Sequence, residues 1–171
     1  MTEKPLKIAV LTLSDSRNLE EDRSGSYLCD ALVQAGHHLA ERQLVKDDVY
    51  QMRAVLSRWI AAKEVEVILT TGGTGITGRD STPEAVAPLL DKTIEGFGEM
   101  MRQLSSAEIG SSALHSRTLA GLANATLIFC LPGSTGACRT AWENILQPQL
   151  DSATRPCNFA TMLPRYREGL S

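Results

Sequence analysis

Apolar and polar residues alternate along the chain in blocks that predict both strands and helices. Three β-branched, apolar stretches predict buried strands, namely "LKIAVLTLS" (6–14), "VEVILTT" (65–71) and "TLIFCLPG" (126–133). A more polar stretch, "HLAERQLV" (38–45), predicts a strand nearer a sheet edge. Apolar residues at helical spacing predict helices at "SGSYLCDALVQAG" (24–36), "DVYQMRAVLSRWIAA" (48–62) and "STGACRTAWENILQPQL" (134–150). This alternation favours an α/β fold with a parallel sheet.

In two regions the apolar residues do not follow the regular spacing of a strand or a helix. From residue 94 to about residue 124 we expect helical or irregular structure and no strand. The tail from about residue 155, "RPCNFATMLPRYREGLS", is broken by Pro156 and Pro164, so we expect it to lie extended across a surface. Because no repeat or low-complexity linker divides the chain, we expect residues 1–171 to form a single domain.

Composition narrows the class of protein further. Of the 171 residues 43% are hydrophobic but 5% aromatic, which indicates an aliphatic core. A net charge of −3 without a long basic run argues against a nucleic-acid-binding face. The chain has no apolar run near the ~20 residues that span a bilayer, and its polar start passes into a strand, so we expect neither a membrane segment nor a secretory signal.

The cysteines and histidines do not form a recognisable metal motif. The four cysteines contain no C-x-x-C pair, and the three histidines do not complete a zinc spacing. We therefore expect four reduced thiols and a cytoplasmic protein.

A glycine-rich stretch, "LTTGGTGITGRDSTPEA" (69–85), follows the third predicted strand. Thr82 fits a helix N-cap, Pro83 the first helical position and Glu84 the first turn. A strand, a glycine loop and a helix N-terminus in this order are typical of an anion-binding site, since glycine lets backbone N–H groups approach the ligand.

Polar residues follow each of the four predicted strands. If the strands are parallel, their carboxyl ends meet at one edge of the sheet, where ligands of such sheets bind. Backbone N–H groups there would hold phosphate and carboxylates would hold Mg²⁺. The residues at this edge are Ser14, Asp15 and Ser16; Lys46, Asp47 and Asp48; the glycine loop; and Pro132, Gly133, Ser134 and Thr135.

Two familiar phosphate-binding motifs match in part and are rejected. Gly73, Gly75 and Gly78 satisfy G-x-G-x-x-G, but the next clear strand begins only near residue 126, too far for a compact dinucleotide-binding unit. The same loop resembles a P-loop in which Arg79 and Asp80 replace the lysine and the hydroxyl residue. Because Asp80 would repel a phosphate directly, it is suited to holding a metal or positioning a substrate group.

Structural interpretations of the same residues stay open at this point. Gly72 and Gly73 could serve tight packing of helix on strand, and Asp47 could cap the helix that begins near residue 48. Asp15 could stabilise a turn. The convergence of several such residues on one edge favours function.

Four stretches of the chain resemble the MoaB/MogA family of molybdenum cofactor biosynthesis proteins. They are "LTLSDSR" with the following "DRSG", "TTGGTGITGRDSTPEA", "GFGEMMRQLS" and "LPGSTGACRTAWENIL". The resemblance covers residues 6 to 159, and the helix "ACRTAWENILQPQL" and the tail "TRPCNF" are more similar to MoaB than to MogA.

The resemblance implies a three-layer α/β/α sandwich with a mostly parallel central sheet. It implies binding of molybdopterin, and, in catalytic members, transfer of AMP from Mg-ATP to the terminal phosphate of the pterin, with release of pyrophosphate. GTP in place of ATP stays open. It also implies a trimer or a hexamer.

The family's site residues fall on matching positions of this chain. Asp47 and Asp80 are then the catalytic carboxylates and the Mg²⁺ ligands, with Lys46 standing where members often have proline. The substrate-binding positions are Ser14, Gly72, Gly73, Thr74, Gly75, Arg79, Pro132, Gly133 and Ser134.

A carrier or scaffold that binds molybdopterin or a nucleotide without turnover is the alternative. Some MoaB-type members resemble the family but bind the pterin without adenylylating it. In those members, the stretch after the glycines departs from the Arg-Asp-x-Thr-Pro sequence. This chain keeps that sequence from Arg79 to Pro83, which favours the adenylyltransferase.

Overall fold

Six strands form one sheet in the computed structural model, which describes residues 2–62 and 64–168. The strand order is β2-β1-β3-β6-β5-β4. The first four strands in that order are parallel, whereas β5 runs antiparallel to β6, and β4 antiparallel to β5. The strands are β1 (Lys7–Leu13), β2 (His38–Val45), β3 (Val67–Thr71), β4 (Lys92–Thr93), β5 (Leu119–Ala123) and β6 (Thr126–Leu131).

Helices cover both faces of the sheet, because alternate strand residues point to opposite faces. The helices are α1 (Arg23–Gln34), α2 (Val49–Ala61), α3 (Thr82–Val86), α4 (Glu95–Ile109), α5 (Thr135–Ala141), α6 (Gln147–Leu150) and α7 (Phe159–Tyr166). Ile8 and Val10 pack with α1, α4, α5, α6 and α7, whereas Ala9 and Leu11 pack with α2 and α3. The predicted three-layer α/β/α sandwich is thus confirmed.

The expectation of no strand between residues 94 and 124 was wrong. The strand β5, of sequence "LAGLA", pairs with β6 and with the two-residue β4. Alanine and glycine have low strand propensity, so the pattern of this segment did not predict a strand. Gly121 is required by packing, since a Cβ there would lie 2.5 Å from the carbonyl oxygen of Lys92.

The boundaries of two helices also differ from those predicted. Ser81 is the N-cap of α3 and Thr82 its first residue, because the Thr82 hydroxyl donates a 2.8 Å hydrogen bond to the Gly72 carbonyl instead of capping the helix. The predicted helix 134–150 is interrupted by a π-helical segment, Trp142–Leu146, between α5 and α6.

The C-terminal tail does not lie extended, as had been expected. After Asn158, whose side chain accepts a 2.8 Å hydrogen bond from the Thr161 amide, the chain forms α7. Ala160 and Leu163 are buried in the core, and the Phe159 ring lies 5.8 Å from that of Phe129. The apolar tail residues therefore pack on their own chain.

No helix in residues 2–62 and 64–168 is both long and apolar enough to cross a membrane. In the same ranges all four cysteines are free thiols, of which Cys29, Cys130 and Cys138 are buried and Cys157 is exposed.

Candidate functional site

A cavity of about 640 Å³ opens at the carboxyl ends of β1, β2, β3 and β6. Parallel strands bring these ends together, as the sequence predicted. Every site residue implied by the family resemblance, except Arg79, contributes to the wall, whereas Lys46, Asp48 and Thr135, also expected at this edge, do not. The lining residues are Leu13, Ser14, Asp15, Ser16, Arg17, Asp47, Gly72, Gly73, Thr74, Gly75, Asp80, Ser112, His115, Ser116, Pro132, Gly133 and Ser134.

The glycine loop after β3 has a backbone that other residues could not adopt without strain. Gly72 and Gly73 have φ of +107° and +67°. A Cβ at Gly72 would lie 2.5 Å from the Leu13 carbonyl oxygen, and one at Gly73 would lie 2.4 Å from Oγ1 of Thr82. These two glycines therefore serve both close packing and the exposure of backbone toward the cavity.

A second turn, "PGS" after β6, packs directly against the glycine loop. The Thr71 hydroxyl donates a 2.9 Å hydrogen bond to the Pro132 carbonyl, and a Cβ on Gly133 would lie 3.3 Å from the Cα of Gly72. The Ser134 side chain accepts a hydrogen bond from the Ala137 amide and caps α5. Two backbone turns thus meet at the floor of one cavity.

Asp47 is a carboxylate with an unsatisfied oxygen. Its neighbour Asp48 caps α2, so the capping interpretation of Asp47 was wrong. Oδ1 of Asp47 is buried and has no hydrogen-bond partner in the described part of the chain. Burial raises the pKa of Asp47, and the nearby carboxylates of Asp15 and Asp80 raise it further, while Arg79 opposes them. A buried polar atom without a partner is costly, so this oxygen is suited to a bound cation or donor.

Asp80 has a different environment. Its Oδ2 accepts hydrogen bonds from the amide and the hydroxyl of Thr77, at 2.9 and 2.6 Å. The Thr77 hydroxyl bond is the main cause that lowers the pKa of Asp80, so this carboxylate is ionised at neutral pH. A Cβ at Gly75 would lie 2.6 Å from the same oxygen, which shows how closely the loop wraps the carboxylate.

Arg79 stands at the edge of the site and pairs with Asp15. Its Nε and Nη2 donate to the two oxygens of Asp15 at 2.7 and 2.8 Å, although the Arg79 side chain is 66% exposed. The bonds from Arg79 lower the pKa of Asp15. Asp15 also accepts a 3.2 Å hydrogen bond from the Asp47 amide, so it joins the ends of β1 and β2. Asp15 therefore links the two sides of the cavity, whereas the turn after β1 is held by the Ser14 hydroxyl, which accepts hydrogen bonds from the amides of Ser16 and Arg17.

Several wall residues were missed by sequence reasoning. Ser112, His115 and Ser116 come from the 3-10 segment Gly110–His115 and the residue after it, in the region without a clear period. A single sequence gives no signal that brings this segment over the ends of distant strands.

Metal binding by protein side chains alone is not supported. In the ranges that the structure describes, no group of three or more His, Cys, Asp or Glu side chains is placed to hold a metal. A divalent cation at this site would need oxygen ligands from a substrate beside Asp47 and Asp80, as Mg²⁺ commonly has.

The fold and the cavity define a three-layer α/β/α protein whose site lies at the carboxyl edge of its parallel strands. Residues 9–152 match a family model described as "Probable molybdopterin binding domain". The chain is 57% identical over 155 residues to the molybdenum cofactor biosynthesis protein B of Escherichia coli K12, with 91% of each chain covered.

Solved structures of similar fold also come from molybdenum and tungsten cofactor biosynthesis proteins. A crystal structure of a molybdenum cofactor biosynthesis protein B aligns with a TM-score of 0.88 and 38% identity, covering 98% of this chain and 99% of that one. The tungsten cofactor synthesizing protein MoaB of Pyrococcus furiosus aligns with a TM-score of 0.78 and 32% identity, covering 96% and 98%. This chain belongs to the MoaB/MogA family of molybdenum cofactor biosynthesis proteins.

Proposed function

We propose that this chain binds molybdopterin in the cavity and transfers AMP from Mg-ATP to the terminal phosphate of the pterin. The observation that carries the proposal is a pair of unlike carboxylates, Asp47 and Asp80, beside a glycine loop with positive φ. Membership of the family supports molybdopterin as the ligand.

The two backbone turns are the proposed phosphate cradle. Gly72, Gly73 and Gly75 line the cavity with main chain alone, and Gly133 and Ser134 adjoin them. Backbone N–H groups bind phosphate oxygens without adding a charge that must be neutralised elsewhere. Ser14, which also lines the cavity, adds a hydroxyl at the end of β1.

The carboxylates fit a hydrated magnesium ion that is also bound by substrate phosphates. The unpartnered Oδ1 of Asp47 is a free ligand position, and Asp80 supplies an ionised carboxylate in the same cavity. When bound there, Mg²⁺ neutralises phosphate charge during transfer. Asp47 and Asp80 would hold the ion beside the phosphates and so determine the position at which the phosphate charge is neutralised.

The chemistry requires positioning more than it requires a nucleophilic side chain. An oxygen of the pterin phosphate attacks the α-phosphorus of ATP, and the bond from that phosphorus to the bridging oxygen breaks, so that the electron pair leaves with pyrophosphate. The second pKa of a phosphate monoester is about 6, so the attacking oxygen needs no general base at pH 7. The thiols of Cys130 and Cys138 are not suited to act as nucleophiles, because neither lines the cavity, and burial raises the pKa of Cys138 to about 11 and that of Cys130 to about 12.

The alternative is a molybdopterin or nucleotide carrier without turnover. The same cavity would serve a carrier, and the intact sequence from Arg79 to Pro83 is what favours the enzyme. The two functions are separated by chemistry, since a carrier releases no pyrophosphate.

Replacement of Asp80 by asparagine tests the proposal directly. Asp80→Asn keeps the shape of the side chain and an oxygen that can accept the Thr77 bonds, so the fold should persist. We expect turnover to fall by about 10²–10³-fold or more, the usual cost of removing electrostatic stabilisation of a transition state. Asp30→Asn, at an exposed carboxylate of α1, is the matched control and should keep full activity. Unchanged turnover in a folded Asp80→Asn variant would remove Asp80 from the mechanism.

A further inference from the structure

Arg117 lies just before β5 and reaches across to the glycine loop. Its Nε donates a 2.7 Å hydrogen bond to the Gly75 carbonyl, and its Nη2 donates a 2.9 Å bond to the Asp80 carbonyl. Its own amide donates a 2.8 Å bond to the Thr74 carbonyl. One residue therefore binds three carbonyl oxygens of the glycine loop, on both sides of the exposed tip formed by residues 76–79.

The same guanidinium also binds the helix that follows the loop. Nη1 and Nη2 of Arg117 pair with the two carboxylate oxygens of Glu84, in the first turn of α3. The bond from Arg117 is the main cause that lowers the pKa of Glu84. The Arg117 side chain is 33% exposed and that of Glu84 55%, so the ion pair faces water, whereas the bonds from Arg117 to the loop carbonyls are partly buried.

The tip of the loop depends on this support. Ile76 is 62% exposed, and the bonds within the tip are local ones between Thr77 and Asp80. These bonds orient the Asp80 carboxylate relative to the tip, and the pair between Arg79 and Asp15 ties the tip to the end of β1. The bonds from Arg117 to the Gly75 and Asp80 carbonyls are a second restraint, which ties the loop to the segment before β5.

We propose that Arg117 is a positioning residue that holds the glycine loop, and with it Asp80, in the geometry that lines the cavity. Arginine suits this role because its planar fork presents five donors in fixed directions, whereas lysine presents one compact ammonium group. Arg117 lies outside the cavity wall, so it acts through the loop. The effect on turnover rests on the adenylyltransfer proposed above, whereas the effect on the loop does not.

The restraint is tested by amide hydrogen exchange in the intact chain. Arg117→Met and Arg117→Lys are compared with Arg165→Met, a matched control at an exposed arginine of α7. Loss of the bonds from a charged donor should speed exchange of the Thr77 and Asp80 amides about tenfold in Arg117→Met. Arg117→Lys should show a smaller increase, and Arg165→Met none. Wild-type protection of both amides in a folded Arg117→Met variant would overturn the proposal.

Kinetics separate positioning from a merely structural role. In Arg117→Met, the concentration of Mg-ATP at half-saturation should rise about tenfold, with partial rescue by lysine. An unchanged dependence on Mg-ATP, together with a loosened loop, would mean that Arg117 stabilises the fold without positioning Asp80, and would overturn the proposal. If the wild-type chain shows no turnover, the adenylyltransfer fails, and the exchange measurement still decides whether Arg117 restrains the loop.

Discussion

The three carboxylates of the cavity differ in their surroundings, and this difference indicates different tasks. Asp15 and Asp80 are held by hydrogen bonds that lower their pKa, whereas burial and neighbouring carboxylates raise the pKa of Asp47. The folded chain therefore tolerates an unfavourable charge at Asp47. Such a cost is characteristic of functional sites, where stability is given up for ligand binding.

Asp47→Asn should stabilise the fold and abolish turnover. Because the folded chain binds the Asp47 proton more tightly than the unfolded chain does, the wild type loses stability as the pH rises from about 4 through the raised pKa of Asp47. Asparagine removes that loss. Urea unfolding at pH 7 should show a higher midpoint for the variant, and the difference should shrink below about pH 4. A lower midpoint at pH 7 would show that Asp47 is stabilising.

Gly73→Ala should lose both stability and pterin affinity. The left-handed backbone at φ +67° costs a residue with a Cβ about 1–2 kcal/mol, and the new atom would lie 2.4 Å from Oγ1 of Thr82. Gly78→Ala is the matched control in the same loop, since a Cβ there meets no atom within 4 Å in the described structure. Pterin affinity is measured by fluorescence, and equal affinities for the two variants would contradict the proposed cradle.

The strands and helices that could be predicted from the sequence are those in which apolar and polar residues follow a clear pattern. The buried strands β1, β3 and β6 are rich in β-branched and aliphatic residues, and their predicted positions are confirmed within two residues at each end. The strand β5 was missed because "LAGLA" gains its pairing from β6 rather than from its own propensity. The helix α7 was missed because Pro164, inside it, was taken as a break.

Leu163→Ala should destabilise the whole chain, since α7 is part of the core. Leu163 is buried against the same cluster as Leu6 and Phe129. Truncating a buried leucine costs about 2–5 kcal/mol through lost burial and a new cavity. Thermal unfolding gives the change, with Arg165→Ala, on the exposed side of α7, as the control. Equal transition temperatures for the two variants would mean that the tail is not packed as described.

The edge where the site forms could be predicted because parallel strands bring their carboxyl ends together whatever the detail of the loops. Asp47, Asp80 and both glycine turns were found in this way, although their roles stay predictions. Arg117 and His115 could not be found, since they approach the site through tertiary packing of a segment that has no period of its own.

The assembly of the molecule was expected to be a trimer or a hexamer, and this stays a prediction. The apolar residues Phe159, Leu163 and Tyr166 of the tail pack against the core of their own chain. Three of the exposed large apolar residues, Met100, Ile109 and Leu114, lie on α4 and the 3-10 segment after it.

Light scattering coupled to size exclusion should give a mass near three or six times the 18.5 kDa of one chain. Truncation after Arg155 should unfold the chain, because it removes the buried Ala160 and Leu163, rather than release folded monomers. A mass near 18.5 kDa at all concentrations would contradict the oligomer. Folded monomers of the truncated chain, beside an oligomeric full chain, would show that the tail is a contact between subunits.

Incubation of the wild-type chain with molybdopterin and Mg-ATP tests the adenylyltransfer most directly. Pyrophosphate release and the mass of the pterin product are followed together, with ATP alone as the blank. The site predicts one pyrophosphate and one adenylylated pterin for each ATP consumed, and formation of both slowed by about 10²–10³-fold or more with Asp80→Asn. Tight binding of the pterin without pyrophosphate or adenylylated product would contradict the enzyme and leave the carrier.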